Sequence, residues 1–263
     1  MLLVIDIGNT NTVIGIYDKK NLKARFRVAT DLKSTSDQLV ATLFNMFMIH
    51  DIRVEDIEDT IISCVVPDVL YNWESANRKL FDKDAKVVDY DTYTGITIDY
   101  ENPSEVGADR IVDAVAAYEL YGGPSVVVDM GTAITLDVIT SDGRYLGGSI
   151  APGIRIAQDG LFGKTAKLPK IELKQPTTAI TESTSEAINA GIVIGYIGMI
   201  DKLIETIEDE IVERLEIDKS EINVVATGGF SELISQSSKY INTIEPDLML
   251  EGLRIIYERN TNR

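Results

Sequence analysis

Two segments of the chain place an acid, a glycine and threonines where an apolar run ends. LVIDIGNTNTVIG at residues 2–14 carries Asp6, and SVVVDMGTAITLDVI at residues 125–139 carries Asp129, each in an Asp-x-Gly pattern. A turn of this composition offers backbone N–H groups and hydroxyls to a phosphate, and glycine lets the backbone approach closely. A neighbouring carboxylate can hold a hard cation or its water. The pair of segments predicts a phosphate clamp.

A further candidate lies in EVGADRIVDAVAAYELYGG at residues 105–123, where Asp109 and Arg110 precede an amphipathic helical run. An acid at that position can accept a hydroxyl proton, and the arginine can bind a polar or anionic group. An N-terminal cap with a salt bridge explains the same residues equally well. Asp109 is therefore a candidate general base, with the structural alternative still open.

Two glycine-rich stretches carry weaker signals. VVATGGFS at residues 224–231 follows a predicted strand, and its backbone could pass under a flat ring such as adenine, although a plain strand-to-helix turn explains it as well. GLFGKT at residues 160–165 resembles the end of a P-loop, but Gln158 stands where that pattern requires glycine. We predict a loop or a helix end there.

The elements that must position these residues occur twice. Three short β-rich runs predict a meander at the N-terminus, STSDQLVATLFNMFMIH predicts a helix, and DTIISCVVP predicts a buried strand. A shift of 123 residues overlays Asp6 on Asp129, Gly8 on Gly131 and Thr12 on Thr135, and the same element order follows. The pattern predicts a duplicated α/β unit, with domains at 1–116 and 117–263; a chance match is the alternative.

A long helix is predicted from Ser185 to about Leu215, where apolar residues recur every three or four positions. Its first half is rich in glycine and alanine, which would let another helix approach closely. Core packing is the ordinary explanation of such a stripe, and self-association is the other.

Composition excludes several functional classes. The net charge of -17 disfavours a nucleic-acid or anionic membrane surface, which both require basic patches. No run was expected to reach the roughly 18 apolar residues of a spanning helix. Cys64 is the single cysteine and His50 the single histidine, so we predict neither a disulfide nor a His/Cys metal site. A cytoplasmic protein is expected.

These motifs together resemble the type III pantothenate kinases of the acetate kinase/sugar kinase/Hsp70/actin superfamily. The resemblance rests on DIGNTNTVIG, GADR, DMGTAITLD, GGSIAPG with LFGKTAKLP, and TGG, in that order along nearly the whole chain. It implies two ribonuclease H-like domains, each with a mixed five-stranded sheet flanked by helices. It also implies phosphorylation of pantothenate by ATP to 4'-phosphopantothenate, the first step of coenzyme A biosynthesis.

The resemblance also assigns roles to residues. Asp109 would be the catalytic base, and Asp129 would bind the monovalent cation, K+ or NH4+. ATP with Mg2+ would bind at Asp6, Ile7, Gly8, Asn9, Thr10, Asn11, Thr12, Val13 and Thr132. Pantothenate would bind at Tyr100, Gly107, Ala108, Asp109, Arg110 and Thr184.

Members of the family are homodimers with pantothenate near the subunit interface, so a homodimer is expected and the small-residue half of the 185–215 helix is a plausible contact. Two other functions remain open: a non-catalytic ATP-binding regulatory or accessory factor on the same fold, and an actin-like filament protein. The intact set of candidate acids favours the enzyme, and the chain length leaves little room for the inserted subdomains of filament formers.

Overall fold

The computed structural model describes residues 1–165 and 168–261 and divides into two compact units. Unit 1 comprises Met1–Ala116 together with the chain from Leu248 onward, and unit 2 comprises Ala117–Asp247. The sequence predicted a second domain that ran to residue 263. In the structure, the last helix groups with unit 1 instead.

The elements follow one another as strands and helices in both units. The strands are β1 Leu2–Ile7, β2 Asn11–Asp18, β3 Asn21–Ala29, β4 Asp59–Cys64, β5 Lys86–Val87, β6 Thr97–Ile98, β7 Ser125–Met130, β8 Ala133–Ile139, β9 Arg144–Pro152, β10 Asn223–Thr227 and β11 Thr243–Ile244. The helices are α1 Ser36–Ile49, α2 Pro67–Phe81, α3 Ala108–Tyr121, α4 Ile154–Gly163, α5 Thr184–Leu215, α6 Ser231–Ser235 and α7 Leu248–Thr261. Short 3-10 turns lie at Val54–Asp56, Pro103–Glu105 and Lys219–Glu221.

The two units share one strand order. In unit 1 the order is β3-β2-β1-β4-β5, and in unit 2 the strands β9-β8-β7-β10-β11 repeat it. In each unit the first three of these strands form an antiparallel meander. The fourth strand pairs in parallel with the first strand of the meander, and the fifth pairs in parallel with the fourth. The predicted duplication of a mixed sheet flanked by helices is confirmed, and the second sheet has a sixth strand in addition to the five that repeat the first.

Helices cover both faces of the sheet in unit 1. Leu3, Ile5 and Ile7 of β1 belong to a buried core with α1 and α2, which contribute Leu43 and Trp73. On the opposite face a Cβ added at Gly15 would lie 3.1 Å from Leu250 of α7. Helix α7 also lies so close to α3 that a Cβ on Gly252 would overlap the Val112 carbonyl. These contacts explain why the C-terminal helix belongs to unit 1.

Local sequence signals set the helix ends. Thr35 and Gln38 form a reciprocal capping box at the start of α1, which satisfies backbone N–H groups that lack helical partners. Pro67 begins α2, where its missing N–H costs nothing. Helix α2 ends at Asp82, which adopts the left-handed conformation with φ of 54°. Helix α1 lies where the sequence predicted a helix.

Helix α5 is the long element predicted from Ser185, and it begins one residue earlier. Its buried side chains include Val193, Ile200, Ile204 and Ile211, which join the core beneath the second sheet. By length and composition alone α5 could cross a membrane, with 33% of its apolar window buried, a test that core helices of soluble proteins also pass. The expectation that no segment reaches this threshold was wrong.

Candidate phosphotransfer site

The first glycine turn is an exposed loop that a neighbouring strand holds in place. The Gly8 amide donates to the Asn11 carbonyl at 3.1 Å and closes the turn. Thr30, which follows β3, donates its hydroxyl to the Gly8 carbonyl at 2.7 Å and its amide to the Thr10 carbonyl at 3.0 Å. The side chains of Asn9, Thr10 and Asn11 remain exposed. The loop therefore presents polar groups on a fixed backbone, as phosphate binding requires.

The second glycine turn packs around its acid. Asp129 is half-buried at the end of β7, and a Cβ on Gly228 would lie 2.5 Å from its Oδ1. Gly228 has φ of 89°, so this position requires glycine for its backbone as well as for space. The Gly153 amide donates to the Thr132 carbonyl at 3.1 Å. The exposed Thr132 side chain thus lies on a turn that packs against Gly228 and is hydrogen-bonded to Gly153.

The two turns differ by one residue. The last strand pair before the first turn is Ile7 with Thr12, whereas before the second turn it is Met130 with Ile134. Beyond the turn the fixed shift of 123 therefore fails. Because side chains alternate across a strand, Asp6 shares its face with Val13, while Asp129 shares its face with Thr135. The overlay of Thr12 on Thr135 was wrong.

Thr12 consequently lies on the core face of its strand. Its side chain is fully buried, and its hydroxyl is 3.0 Å from that of Thr30. Of the candidate ATP-binding residues, Ile7 is likewise a buried core residue. Both can serve a nucleotide only through their backbone groups, whereas Asn9, Thr10 and Asn11 can also offer side chains.

The start of α3 brings the candidate base to the end of β4. Gly107 precedes α3, and Val65 Cγ1 lies 3.9 Å from the place a Cβ on Gly107 would take. The Asp109 Oδ1 accepts the Arg110 amide at 2.8 Å, and a Cβ on Gly107 would overlap this oxygen. Arg110 is buried, with 9% of its surface exposed. The carboxylate is thus held by its own helix start and has room because residue 107 is glycine.

Asp6 and Asp109 lie at the same end of the first sheet. Strands β1 and β4 run parallel with Asp6 in register with Ser63, two residues before Val65. The Cys64 thiol is affected by the charge of Asp6. Burial raises the pKa of this thiol, and the negative charge of Asp6 raises it further. Unit 1 therefore brings the first glycine turn, the Asp6 carboxylate and the candidate base together at one end of its sheet.

A cation at this site would draw part of its ligands from the substrate and from water. Within residues 1–165 and 168–261, no three His, Cys, Asp or Glu side chains form a metal-binding group. Mg2+ in phosphotransfer sites uses one or two carboxylates, water and the substrate phosphates rather than an all-protein cage. The single carboxylate of Asp6 beside a phosphate turn fits that donor set.

The other predicted site residues are distributed between the units. Tyr100 is 37% exposed in unit 1, ahead of α3, and Thr184 is the exposed first residue of α5 in unit 2. Gly228 and Gly229 form a turn before α6, and GLFGKT lies at the end of α4, as the sequence predicted. LFGKTAKLP includes residues 166 and 167, which lie outside the described residues.

Sequence reasoning overlooked Thr30, which fixes the first turn, and Gly153, which fixes the second. Thr30 follows the third strand, and only the pairing of β2 with β3 shows that it reaches Gly8. The GGSIAPG motif did contain Gly153, but no spacing rule linked it to Thr132. Both residues act through the backbone of a distant turn.

Several solved structures share this fold at low sequence identity. The protein is similar to a structure described as a conserved Baf family transcriptional activator from Campylobacter jejuni, with 21% identity, TM-score 0.62 and coverage of 99% of this chain and 100% of the other. A structure described as a 2-dehydro-3-deoxygalactonokinase from Sinorhizobium meliloti has 12% identity and TM-score 0.55, covering 100% and 98%. Component A of (R)-2-hydroxyglutaryl-CoA dehydratase from Acidaminococcus fermentans has 13% identity and TM-score 0.51, covering 100% and 99%. At these identities the likeness shows the fold alone.

The family follows from the sequence motifs. The sequence model of the type III pantothenate kinases matches residues 2–206, a span that contains both glycine turns and the start of α3. The chain belongs to the type III pantothenate kinase family. Membership implies a kinase that uses ATP with Mg2+ and acts on a small molecule.

Proposed function

We propose that this protein transfers the γ-phosphoryl group of ATP to the primary hydroxyl of pantothenate and forms 4'-phosphopantothenate, the first step towards coenzyme A. The family match supports the reaction class. The observation that carries the residue assignment is the position of Asp109, which begins α3 beside the end of β4, at the sheet edge where Asp6 and its turn lie.

In this proposal Asp109 accepts the proton of the pantothenate hydroxyl as the new O–P bond forms. The bond between the γ-phosphorus and the oxygen of the departing ADP breaks at the same time. Arg110, Gly107, Ala108, Tyr100 and Thr184 bind pantothenate. Phosphoryl transfer depends mainly on positioning and charge neutralisation, which agrees with a site made of turns, one base and one arginine.

The phosphates are bound by the first turn, Asp6 to Val13, and by Thr132 of the second. Bound Mg2+ supplies charge neutralisation at the phosphates, and Asp6 would hold it directly or through water. Asp129 would hold the monovalent cation, K+ or NH4+. An acidic protein with net charge -17 has to meet a polyphosphate locally, and backbone N–H groups with cations provide that local positive potential.

A homodimer is part of the same proposal, with the first half of α5 as the contact. Gly191, Gly195 and Gly198 are exposed there, and a Cβ on each would meet nothing within 4 Å. Ile194, between them, is 43% exposed. We also propose a cytoplasmic protein that binds neither nucleic acid nor membrane. Sedimentation of Gly195→Arg against the wild type tests the contact: the variant should sediment as a monomer, and an unchanged dimer would place the contact elsewhere.

The test of the function is a coupled assay with ATP, Mg2+ and pantothenate, with and without K+. We expect ADP release and 4'-phosphopantothenate in equal amounts, with faster turnover when K+ is present. Absence of product in every condition would overturn the proposal and leave the regulatory factor as the better assignment. That alternative is included because the similar structure from Campylobacter jejuni is described as a transcriptional activator.

A further inference from the structure

Ser63 is a buried hydroxyl next to the first acid. Its side chain is fully buried on β4, and among the described residues its Oγ makes no hydrogen bond. Buried polar groups in folded proteins nearly always have a partner, and an exception requires an explanation such as a bound water or a functional role. If Ser63 served only to fill space in the core, alanine would pack there equally well. The position therefore holds a hydroxyl that the described protein atoms do not use.

The strand register places Ser63 directly beside Asp6. The two residues are partners in the parallel pairing of β1 with β4, so their side chains point to the same face. On the other side of Asp6 the register partner is Val13, which has no polar side-chain atom. Among the residues paired with Asp6 in the sheet, Ser63 is thus the one that can donate a side-chain hydrogen bond.

The same arrangement recurs in the second unit. Asp129 of β7 is in register with Thr227 of β10, which is buried with 5% of its surface exposed. The three preceding pairs along β7 and β10 are apolar, and the two preceding pairs along β1 and β4 are apolar as well. In both sheets a hydroxyl thus appears beside the acid where the apolar pairing ends. Packing alone does not account for this repetition.

We infer that Ser63 is a positioning residue for Asp6, and this inference rests on the proposed kinase function. Ser63 Oγ makes no direct hydrogen bond to Asp6 in the structure. Neighbouring strands lie about 4.8 Å apart, so a change of the Ser63 side-chain rotamer, or one bridging water, would bring its proton to the Asp6 carboxylate. A carboxylate has about four acceptor sites and can take this bond in addition to its others. The bond fixes the orientation in which Asp6 meets Mg2+ or its water.

The test measures nucleotide binding rather than turnover. Calorimetry gives the Kd of ATP with Mg2+ and the Kd of ATP with a chelator, for the wild type and for Ser63→Ala. Loss of a hydrogen-bond partner behind a metal ligand lowers metal affinity about 10- to 100-fold. We therefore expect Ser63→Ala to weaken binding of ATP with Mg2+ by about tenfold, with metal-free binding unchanged.

Two further variants separate positioning from structure. Ser63→Thr keeps the hydroxyl and should restore most of the Mg2+-dependent binding. Thr60→Val removes another buried hydroxyl of β4, three residues away and therefore on the other face of the sheet, and should leave both Kd values unchanged. Thermal unfolding of each variant shows that it is folded.

The inference is overturned if Ser63→Ala binds ATP equally well with Mg2+, or if metal-free binding falls by the same factor. It also falls if the wild type shows no effect of Mg2+ on ATP binding. Its failure is distinct from that of the proposed function, because pantothenate takes no part in the measurement. A protein that did not phosphorylate pantothenate could still show the Mg2+-specific loss.

Discussion

The two glycine turns occupy the same position in two sheets of the same strand order, yet they are built differently. The first has four residues between its last paired residues, Ile7 and Thr12, and the second has three, between Met130 and Ile134. The extra residue exposes Asn9, Thr10 and Asn11 on a loop held by Thr30. The shorter turn instead leaves its acid enclosed by glycine backbone.

The difference shows how a duplicated unit acquires two roles. One added residue reverses which side chains share a face with the acid, because strand side chains alternate. Asp6 is consequently flanked by Val13 and the exposed loop, whereas Asp129 is flanked by Thr135 and crowded by Gly228. We propose that the first turn binds phosphate and Mg2+, and that the second turn, besides offering Thr132 to the phosphates, forms a tighter pocket for a monovalent cation at Asp129.

The largest predicted effect concerns a motif that the duplication does not repeat. The GADR motif occurs once in the chain, and its Asp109 is the proposed base. We predict that Asp109→Asn lowers kcat by about 10²- to 10⁴-fold, the usual contribution of a general base, with ATP binding largely retained. Steady-state kinetics and nucleotide titration measure the two quantities.

Asp68→Asn is the matched control for that variant. Asp68 is also an acid in the first turn of a helix, α2, but it is exposed. It therefore reproduces the change in helix-terminal charge, and because Asp68 is not one of the proposed site residues, kcat should stay near the wild-type value. Near-normal turnover by Asp109→Asn would show that the base is a different residue.

A second prediction compares the two acids directly. Asp129→Ala should lower the K+ affinity of the kinase by at least the roughly 10- to 100-fold that loss of an outer-shell partner causes, because Asp129 is the proposed ligand itself. It should leave Mg2+-dependent ATP binding intact. Asp6→Asn should have the converse effect. The measurements are a K+ titration of the rate and the calorimetric Mg2+ comparison.

The assignment of separate roles would be broken if both variants lost the same response. An unchanged K+ dependence in Asp129→Ala would remove that acid from the cation site. Sodium in place of potassium at equal ionic strength is the control, because it keeps electrostatic screening constant.

Sequence patterns were sufficient for the architecture and for α5. Alternating and helical periodicity predicted the meander, the buried strand β4 and the 32-residue helix within one residue of its start. Those patterns depend on side-chain polarity along a single element. The position of Asp109 at a helix start was likewise readable from GADR followed by an apolar periodic run.

Register and packing partners were not readable in this way. Thr12 faces the core because the first turn has one more residue than the second, and composition does not fix turn length. The apolar side chains of α7, including Leu250 and Leu253, would suit either sheet, and only the fold shows them in unit 1. Ser63 stands within an apolar run, and its pairing with Asp6 requires the register of β1 with β4.

The smallest predicted effect tests whether crowding distinguishes the second turn. Gly228→Ala would place a methyl group 2.5 Å from Asp129 Oδ1 at a residue with φ of 89°. The left-handed conformation alone costs a non-glycine residue about 1–2 kcal/mol. Urea unfolding should therefore show a free energy of unfolding lower by at least that amount, accompanied by a weaker K+ response.

Gly229→Ala is the matched control, since its Cβ would meet nothing within 4 Å. Equal stability and equal K+ response in the two variants would mean that the Asp129 pocket is not tightly packed, and the distinction drawn between the two turns would then depend on loop length alone.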